Sequence, residues 1–176
     1  KSTIINRTWK IDNDFAEFIG MYLGDGNLMS RYSKRSGIAI TIHHKNKKEI
    51  DRVINVGQKV FGITPSNHKV KDQNVVQIQF HSNIIGKIFE DLFGIGFKGK
   101  RLPEFMFKLS TDLIYSLMAG LITTDGCISE DTIITLQMSN QNIINQLYHL
   151  CRSRGIDVSY QMVKTMPKLA AFYLLG

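Results

Sequence analysis

One nine-residue pattern occurs twice in this chain, as Phe18-Ile-Gly-Met-Tyr-Leu-Gly-Asp-Gly26 and as Met118-Ala-Gly-Leu-Ile-Thr-Thr-Asp-Gly126. Asp25 and Asp125 lie one hundred positions apart, and so do Gly20 and Gly120. Each copy reads as the end of a helix: Asp14 to Gly24 and Leu113 to Thr124 lack proline, and both run into an Asp-Gly stop. Gly20 and Gly24 are four apart, as are Gly120 and Thr124, so each helix carries small residues along one face. Two such faces can press together with their backbones close. Asp25 and Asp125 then emerge side by side where both helices end.

That placement is electrostatically unfavourable. A helix C-terminus carries roughly half a negative charge, which an Asp aggravates. A second carboxylate adds repulsion that divalent cations would relieve, and a metal pair can clamp the attacking and leaving oxygens of a phosphodiester. The competing reading is an ordinary C-cap used twice, with Asp as turn former and Gly in the left-handed conformation. Two copies at matched phase, each with a small-residue face, favour the shared metal site.

These motifs resemble those of the LAGLIDADG homing endonucleases, in wording most like the endonuclease domains of inteins. Phe93 to Met106, with Lys100-Arg-Leu-Pro103, looks like the lysine-proline block that such domains carry before the second motif. Leu147 to Val158, with Arg154-Gly-Ile156, looks like a later block. The resemblance implies an α+β fold of two pseudo-symmetric αββαββα halves, with the motif helices central and a sheet from each half forming a DNA-binding saddle. It divides the chain into a first half (1–97), a linker with the lysine-proline block (98–109) and a second half (110–176). It implies a monomeric double-strand DNA endonuclease, cutting at a long site with Mg²⁺, or with Mn²⁺ or Ca²⁺ in the same positions. Asp25 and Asp125 would be catalytic and would bind metal together with Gly24 and Thr124. Lys100 matches the family's lysine near the metals, where a cation can polarise water or stabilise transition-state charge. The alternative on the same fold is a cleavage-deficient binder, either a maturase-like RNA binder or a DNA-binding regulator. An intein host chain is a further implied partner.

Composition agrees with a polyanionic partner: 22 Lys and Arg stand against 15 Asp and Glu, giving a net charge of +7. At 43% hydrophobic residues, the 176-residue chain has enough for a real core. Cys127 and Cys151 are too few and too isolated for a disulfide framework or a zinc site, and read as buried thiols. No signal peptide or membrane-length apolar run is visible, so an intracellular setting is expected.

Along the chain, Asp12-Asn-Asp14 offers an N-cap. Asn27 to Ser36, with Arg31, Lys34 and Arg35, reads as a loop or hairpin tip with basic residues for phosphate. Ile38, Ile40 and Ile42 mark one face of a strand whose other face holds Thr41 and His43. A helix with Glu49, Ile50, Val53 and Phe61 closes at Gly62. A strand from Asn67 to Lys71, with Lys69 and Lys71, turns at Asp72-Gln-Asn74 into Val75–His81. There Val76, Ile78 and Phe80 share one face, and Gln77, Gln79 and His81 the other. Gln both donates and accepts, which suits it to base edges, although a water-facing sheet shows the same alternation. A helix from Ser82 to Leu92 ends the first half, and Lys98 and Arg101 add charge beside Lys100.

The order then repeats. Thr132 to Ser139 turns Thr135 and Gln137 outward, a helix from Gln141 is capped by Asn140, and Asp157 to Val163 turns Ser159 and Gln161 outward. Leu169 to Leu175 is apolar on both faces. Adding the repeat to Lys100 puts its counterpart near position 200, so the second half is expected to lack its terminal helix and paired lysine, with Lys164 and Lys168 as the only nearby substitutes. The five histidines show no metal-ligand spacing, and Trp9 reads as packing.

Overall fold

The computed structural model describes residues 4–31, 34–71, 73–128, 134–162 and 170–174. The turn at Asp72 and the substitutes Lys164 and Lys168 fall outside those residues. Two helices of like length lie at the centre, α1 (Asn13–Asp25) and α5 (Thr111–Asp125). Asp12 caps α1, its carboxylate accepting from the Phe15 amide. The strip of small residues does what its spacing predicts. A methyl group added at Gly20 would overlap the Leu117 carbonyl oxygen, and one at Gly120 would overlap that of Glu17. At this seam the two backbones touch, which any larger side chain forbids.

Each central helix leads into a four-stranded antiparallel sheet. The first comprises β1 (Gly26–Arg31), β2 (Lys34–His43), β3 (Ser66–Lys69) and β4 (Val75–His81), in the order β1-β2-β4-β3. The second comprises β5 (Gly126–Ile128), β6 (Ile134–Met138), β7 (Val158–Met162) and β8 (Ala170–Leu174), in the order β5-β6-β8-β7. The orders are the same, so the sequence repeat is a repeat of topology. Asn27 to Ser36 is therefore not a loop: Gly26 to Arg31 pairs along β2, and only the tip remains. Its polar residues hid a strand, because one face of this sheet never meets the core.

Helices α2 (Lys47–Phe61) and α3 (Asn83–Phe93) cover one face of the first sheet, and α6 (Gln141–Arg152) lies with the second. Gly62 ends α2 with a left-handed backbone, φ 72°, as a closing glycine should. Phe18 sits at the middle of an aromatic cluster, edge-on to Phe61, Phe80 and Phe89. Trp9 packs edge-on to Phe61 at 5.1 Å, which ties the N-terminal lead-in to this core. Cys151 is buried, but Cys127 is exposed beside the second motif, against expectation. Among the described residues no helix is long and apolar enough to cross a membrane.

The segment between the halves holds a single-turn helix, α4 (Gly96–Gly99), and a 3-10 turn (Glu104–Lys108). Polar side chains of α6 and its flanks hold it by the backbone. Asn140 donates to the Phe97 and Lys100 carbonyls, Gln146 bonds both the amide and the carbonyl of Leu102, and Arg154 donates to the Phe107 and Leu109 carbonyls.

Overpacking at the seam sets the first prediction. Gly120→Ala should lower stability by about 3 kcal/mol and Tm by roughly 6–12 °C for a chain of this size, because backbone and not a side chain must give way. Gly99→Ala, where an added methyl meets nothing within 4 Å, should stay within about 0.5 kcal/mol. Thermal melts of both variants check this; equal effects would mean that the helices do not meet here.

Candidate functional site

Asp25 and Asp125 are the last residues of α1 and α5, and the strands begin at the next residue in each half. Gly26 and Gly126 have φ of −79° and −86°, so neither is the left-handed cap of the competing reading. Both are glycine for space. A methyl at Gly26 would overlap the Tyr22 ring and carbonyl, and one at Gly126 the Ile122 carbonyl. The chain doubles back against its own helix, leaving each Asp at the corner.

The corners meet. Gly24 lies against Thr124 and the carboxylate of Asp125, whose Oδ2 would be 3.1 Å from a methyl placed there. Asp25 and Asp125 line one cavity of about 270 Å³ with Gly24, Lys100, Gln137 and Asn140. A second cleft, which Asp25 and Lys100 also line, holds Asn27, Arg35, Thr41 and Phe97. Asp25 is exposed to water in these clefts, although the packed helix ends remove part of the hydration of its carboxyl. That desolvation, with the Asp125 charge beside it, pushes its carboxyl up to about 6, against the pull of Lys100. Burial raises Asp125 as well, again opposed by Lys100.

Lys100 is buried, and its ammonium donates to three carbonyls at the end of α1: Tyr22 at 2.8 Å, Leu23 at 3.0 Å and Gly24 at 3.1 Å. It sits 5.1 Å from the centre of the Tyr22 ring. Burial lowers its pKa to about 8, and the two carboxylates resist the drop. The helix end that made Asp25 unfavourable thus has a cation on its last carbonyls. The Gly24 carbonyl, a candidate metal ligand, already accepts from this lysine and keeps one lone pair for another partner.

The donors present suit a hard divalent cation: two carboxylates and nearby backbone carbonyls, with room for water. Among the described residues no group of three His, Cys, Asp or Glu side chains gathers as a metal cage. A cation here would keep several non-protein oxygens, as Mg²⁺ does beside a phosphate.

Residues paired across an antiparallel ladder share a face. On the first sheet, Thr41 pairs with Gln77 and Gln77 with His68, Ala39 with Gln79 and Gln79 with Ser66, and Gly37 with His81. Thr41, His43, Gln77, Gln79 and His81 therefore share the face away from the helices. Ser66, His68 and Asn27 belong to it and were missed. Lys69 pairs with Val76, so it lies on the helix side and not beside Gln77. Nothing in the local sequence fixes the register of so short a strand, and a single-residue slip exchanges faces. Lys71 is exposed beyond the end of β3.

Arg35 is already engaged, donating to Glu90 and to Ser30, both at 2.7 Å. A bulge between Met29 and Ser30 breaks the alternation and turns it toward α3. Arg101 donates to the Asp91 carbonyl, while Lys34 and Lys98 are exposed. The Arg31 and Gln161 side chains lie outside the described residues. On the second sheet, Thr135, Gln137 and Ser159 share the corresponding face, with Gln137 and Ser159 exposed.

A family model described as homing endonuclease matches residues 102–170. The DNA polymerase of Thermococcus hydrothermalis is 25% identical over 151 residues, 84% of this chain and 9% of that protein. An uncharacterised protein of Methanocaldococcus jannaschii is 34% identical over 134 residues, 72% of this chain and 14% of that protein. The chain thus spans about a tenth of the length of the curated relatives it matches. Among solved structures, a variant of I-DmoI with its nicked target DNA and manganese superposes with a TM-score of 0.69 at 12% identity, covering 94% of this chain and 89% of that one. The N-terminal LAGLIDADG domain of DUF199/WhiA gives a TM-score of 0.62 at 13% identity, covering 95% and 77%. The fold is that of the LAGLIDADG proteins, and the family model places the resemblance to homing endonucleases on residues 102–170, the stretch that carries the second motif.

Proposed function

We propose that the chain is a divalent-metal-dependent, site-specific DNA endonuclease, a reading carried by two carboxylates that line one cavity beside a buried lysine where the central helices end. Neither charge is fully matched within the protein, and their stability cost is intelligible as preparation for cations. Bound Mg²⁺, or Mn²⁺ or Ca²⁺ in its place, would supply Lewis acidity and orient an attacking water at each scissile phosphate. Asp25 and Asp125 hold the charge that draws cations in, with the Gly24 and Thr124 backbones adjacent. Lys100 fixes the end of α1 and places a positive charge beside the carboxylates, where negative charge grows on the phosphoryl oxygens. The polar sheet faces, with Thr41, Gln77, Gln79, His81, Thr135, Gln137 and Ser159, would lie along duplex DNA, and the exposed Lys34, Lys71 and Lys98 would meet phosphates. I-DmoI structures solved with target DNA and with manganese or calcium support this reading.

The relatives among archaeal DNA polymerases match over less than a tenth of their length. That is the proportion expected of an endonuclease inserted into a host protein, and we read the chain as such an intein-type domain. The WhiA likeness favours a second reading, a LAGLIDADG nucleic-acid binder without cleavage.

Plasmids carrying a randomised insert should be linearised with Mg²⁺ and left intact with EDTA, and sequencing the new ends gives the site. Asp25→Asn and Asp125→Asn should each cut at least about 100-fold more slowly. Full double-strand cutting by either variant would remove the role assigned to that carboxylate. Binding to duplex DNA or RNA at one fixed salt concentration, with no cutting by the wild type, would establish the second reading.

The same carboxylates make a stability prediction. A folded-state pKa above the unfolded one destabilises the ionised protein at neutral pH, and the effect disappears as pH falls below the unfolded value. Water reaches Asp25 and screens most of this penalty, so Asp25→Asn should raise the Tm of the metal-free protein at pH 7 by only about 2–4 °C, and by nothing near pH 3. Calorimetry at both pH values checks it; a lower Tm at pH 7 would mean that Asp25 is stabilising as it stands.

A further inference from the structure

We infer that Asn140, in the second half, is a positioning residue that sets Lys100 in the first-half site across the seam. The inference rests on the reading above, in which Lys100 serves the paired carboxylates. Asn140 is only 7% exposed, and both ends of its amide are in use. Its Oδ1 accepts from the Ile143 amide at 3.2 Å, which caps α6. Its Nδ2 donates to the Phe97 carbonyl at 2.6 Å and the Lys100 carbonyl at 2.9 Å. Ser, Thr or Asp would cap the helix as well, but only Asn supplies the two donors besides.

Arg101 closes the far end of the segment it grips, its amide on the Phe93 carbonyl at 2.9 Å and its guanidinium on that of Asp91, but the turn between has few contacts. Residues 95 to 99 are all exposed, and methyl groups added at Gly96 or Gly99 would meet nothing within 4 Å. Gly96 is left-handed, φ 66°, and the Lys100 amide bonds back to its carbonyl at 3.1 Å. Lys100 is thus fixed at three places: by its amide within α4, by its carbonyl on Asn140 and by its ammonium on the end of α1. Gln146 and Arg154 continue the same grip from Leu102 to Leu109, downstream of the lysine. Asn140 is the member that acts on Lys100 itself, and it lines the cavity of Asp25 and Asp125. A lysine of the linker, seated on the end of the first half's central helix, is therefore aimed by the second half, and neither half alone would hold the complete site.

Two substitutions separate aiming from folding. Asn140→Asp and Asn140→Ser both keep an acceptor for the Ile143 amide, but Asp has no donor and Ser only one short hydroxyl in place of the two amide hydrogens, so Tm should fall by a few degrees with the fold retained. Lysine acylation of the native protein, read residue by residue by mass spectrometry, should show Lys100 protected in the wild type and labelled about ten-fold faster in both variants, through local opening of the segment. Lys98 and Lys108 should be unchanged. Lys100 protected as before, or a general rise at all lysines with a large fall in Tm, would overturn the inference. This arm needs no cleavage, so it stands or falls apart from the nuclease reading.

In a wild type that cuts, both variants should lower the cleavage rate about 10- to 100-fold at unchanged DNA affinity, the scale of a misplaced catalytic group. Combined with Lys100→Met, neither should slow the reaction further. Multiplicative losses in the double variants would show a route that bypasses the lysine and would refute the assignment.

Discussion

Backbone contact between α1 and α5 is the constraint from which the site follows. Because Gly20 meets Leu117 and Gly120 meets Glu17 with no side chain between, the helix ends are brought together rather than splayed. Their macrodipoles then add at one place, and so do the carboxylates that follow. Nothing in folding alone asks for this. A protein selected only for stability would put a lysine or an amide at those corners. The glycines at 26 and 126 tighten the arrangement further by letting each strand turn back along its helix directly after the Asp.

The two helix ends reach tolerable electrostatics by different routes. At α1 the buried ammonium of Lys100 takes three terminal carbonyls. At α5 the hydroxyls of Thr123 and Thr124 donate back to the Ala119, Gly120 and Leu121 carbonyls one turn before the end, a second bond to carbonyls already within the helix, with no charge added. The residue pair Gly24 and Thr124 shows the same division: Gly24 clears the space that the Thr124 hydroxyl and the Asp125 carboxylate occupy. The site is twofold in its backbone and asymmetric in its chemistry. One lysine lies near both carboxylates, and its charge opposes the pKa rise at each.

What the sequence revealed and what it concealed divide along physical lines. The motif pair was legible because a small-residue stripe followed by Asp-Gly has few other uses, and the helix ends at Gly62 and Gly94 announced themselves through glycine. Strand β1 was not legible. Gly-Asn-Leu-Met-Ser-Arg is neither β-branched nor alternating, and only its ladder with β2 makes it a strand. The face of Lys69 depended on a register that a four-residue edge strand does not fix locally. Arg35 looked free for phosphate because its partner, Glu90, is 55 positions away. The role of Asn140 was half visible: capping reads from local sequence, but its hold on Phe97 and Lys100 joins segments some forty residues apart.

The register also shows how far the duplication has been edited. With Gly26 opposite Ile40 and Gly126 opposite Leu136, the hairpin after Asp125 is four residues shorter than the one after Asp25. Aligning the ladders from there sets Thr41 against Gln137, Gln77 against Ala171, Gln79 against Tyr173 and His68 against Gln161. Hence the residue types at corresponding points of the two open faces differ almost throughout. A homodimer could not do this, since each face would be a copy of the other. On the reading proposed above, the single chain keeps the symmetry that two strands of a duplex demand at the cleavage centre, yet leaves each sheet to meet a different half-site. The target should then be asymmetric in sequence while the geometry of cutting remains twofold.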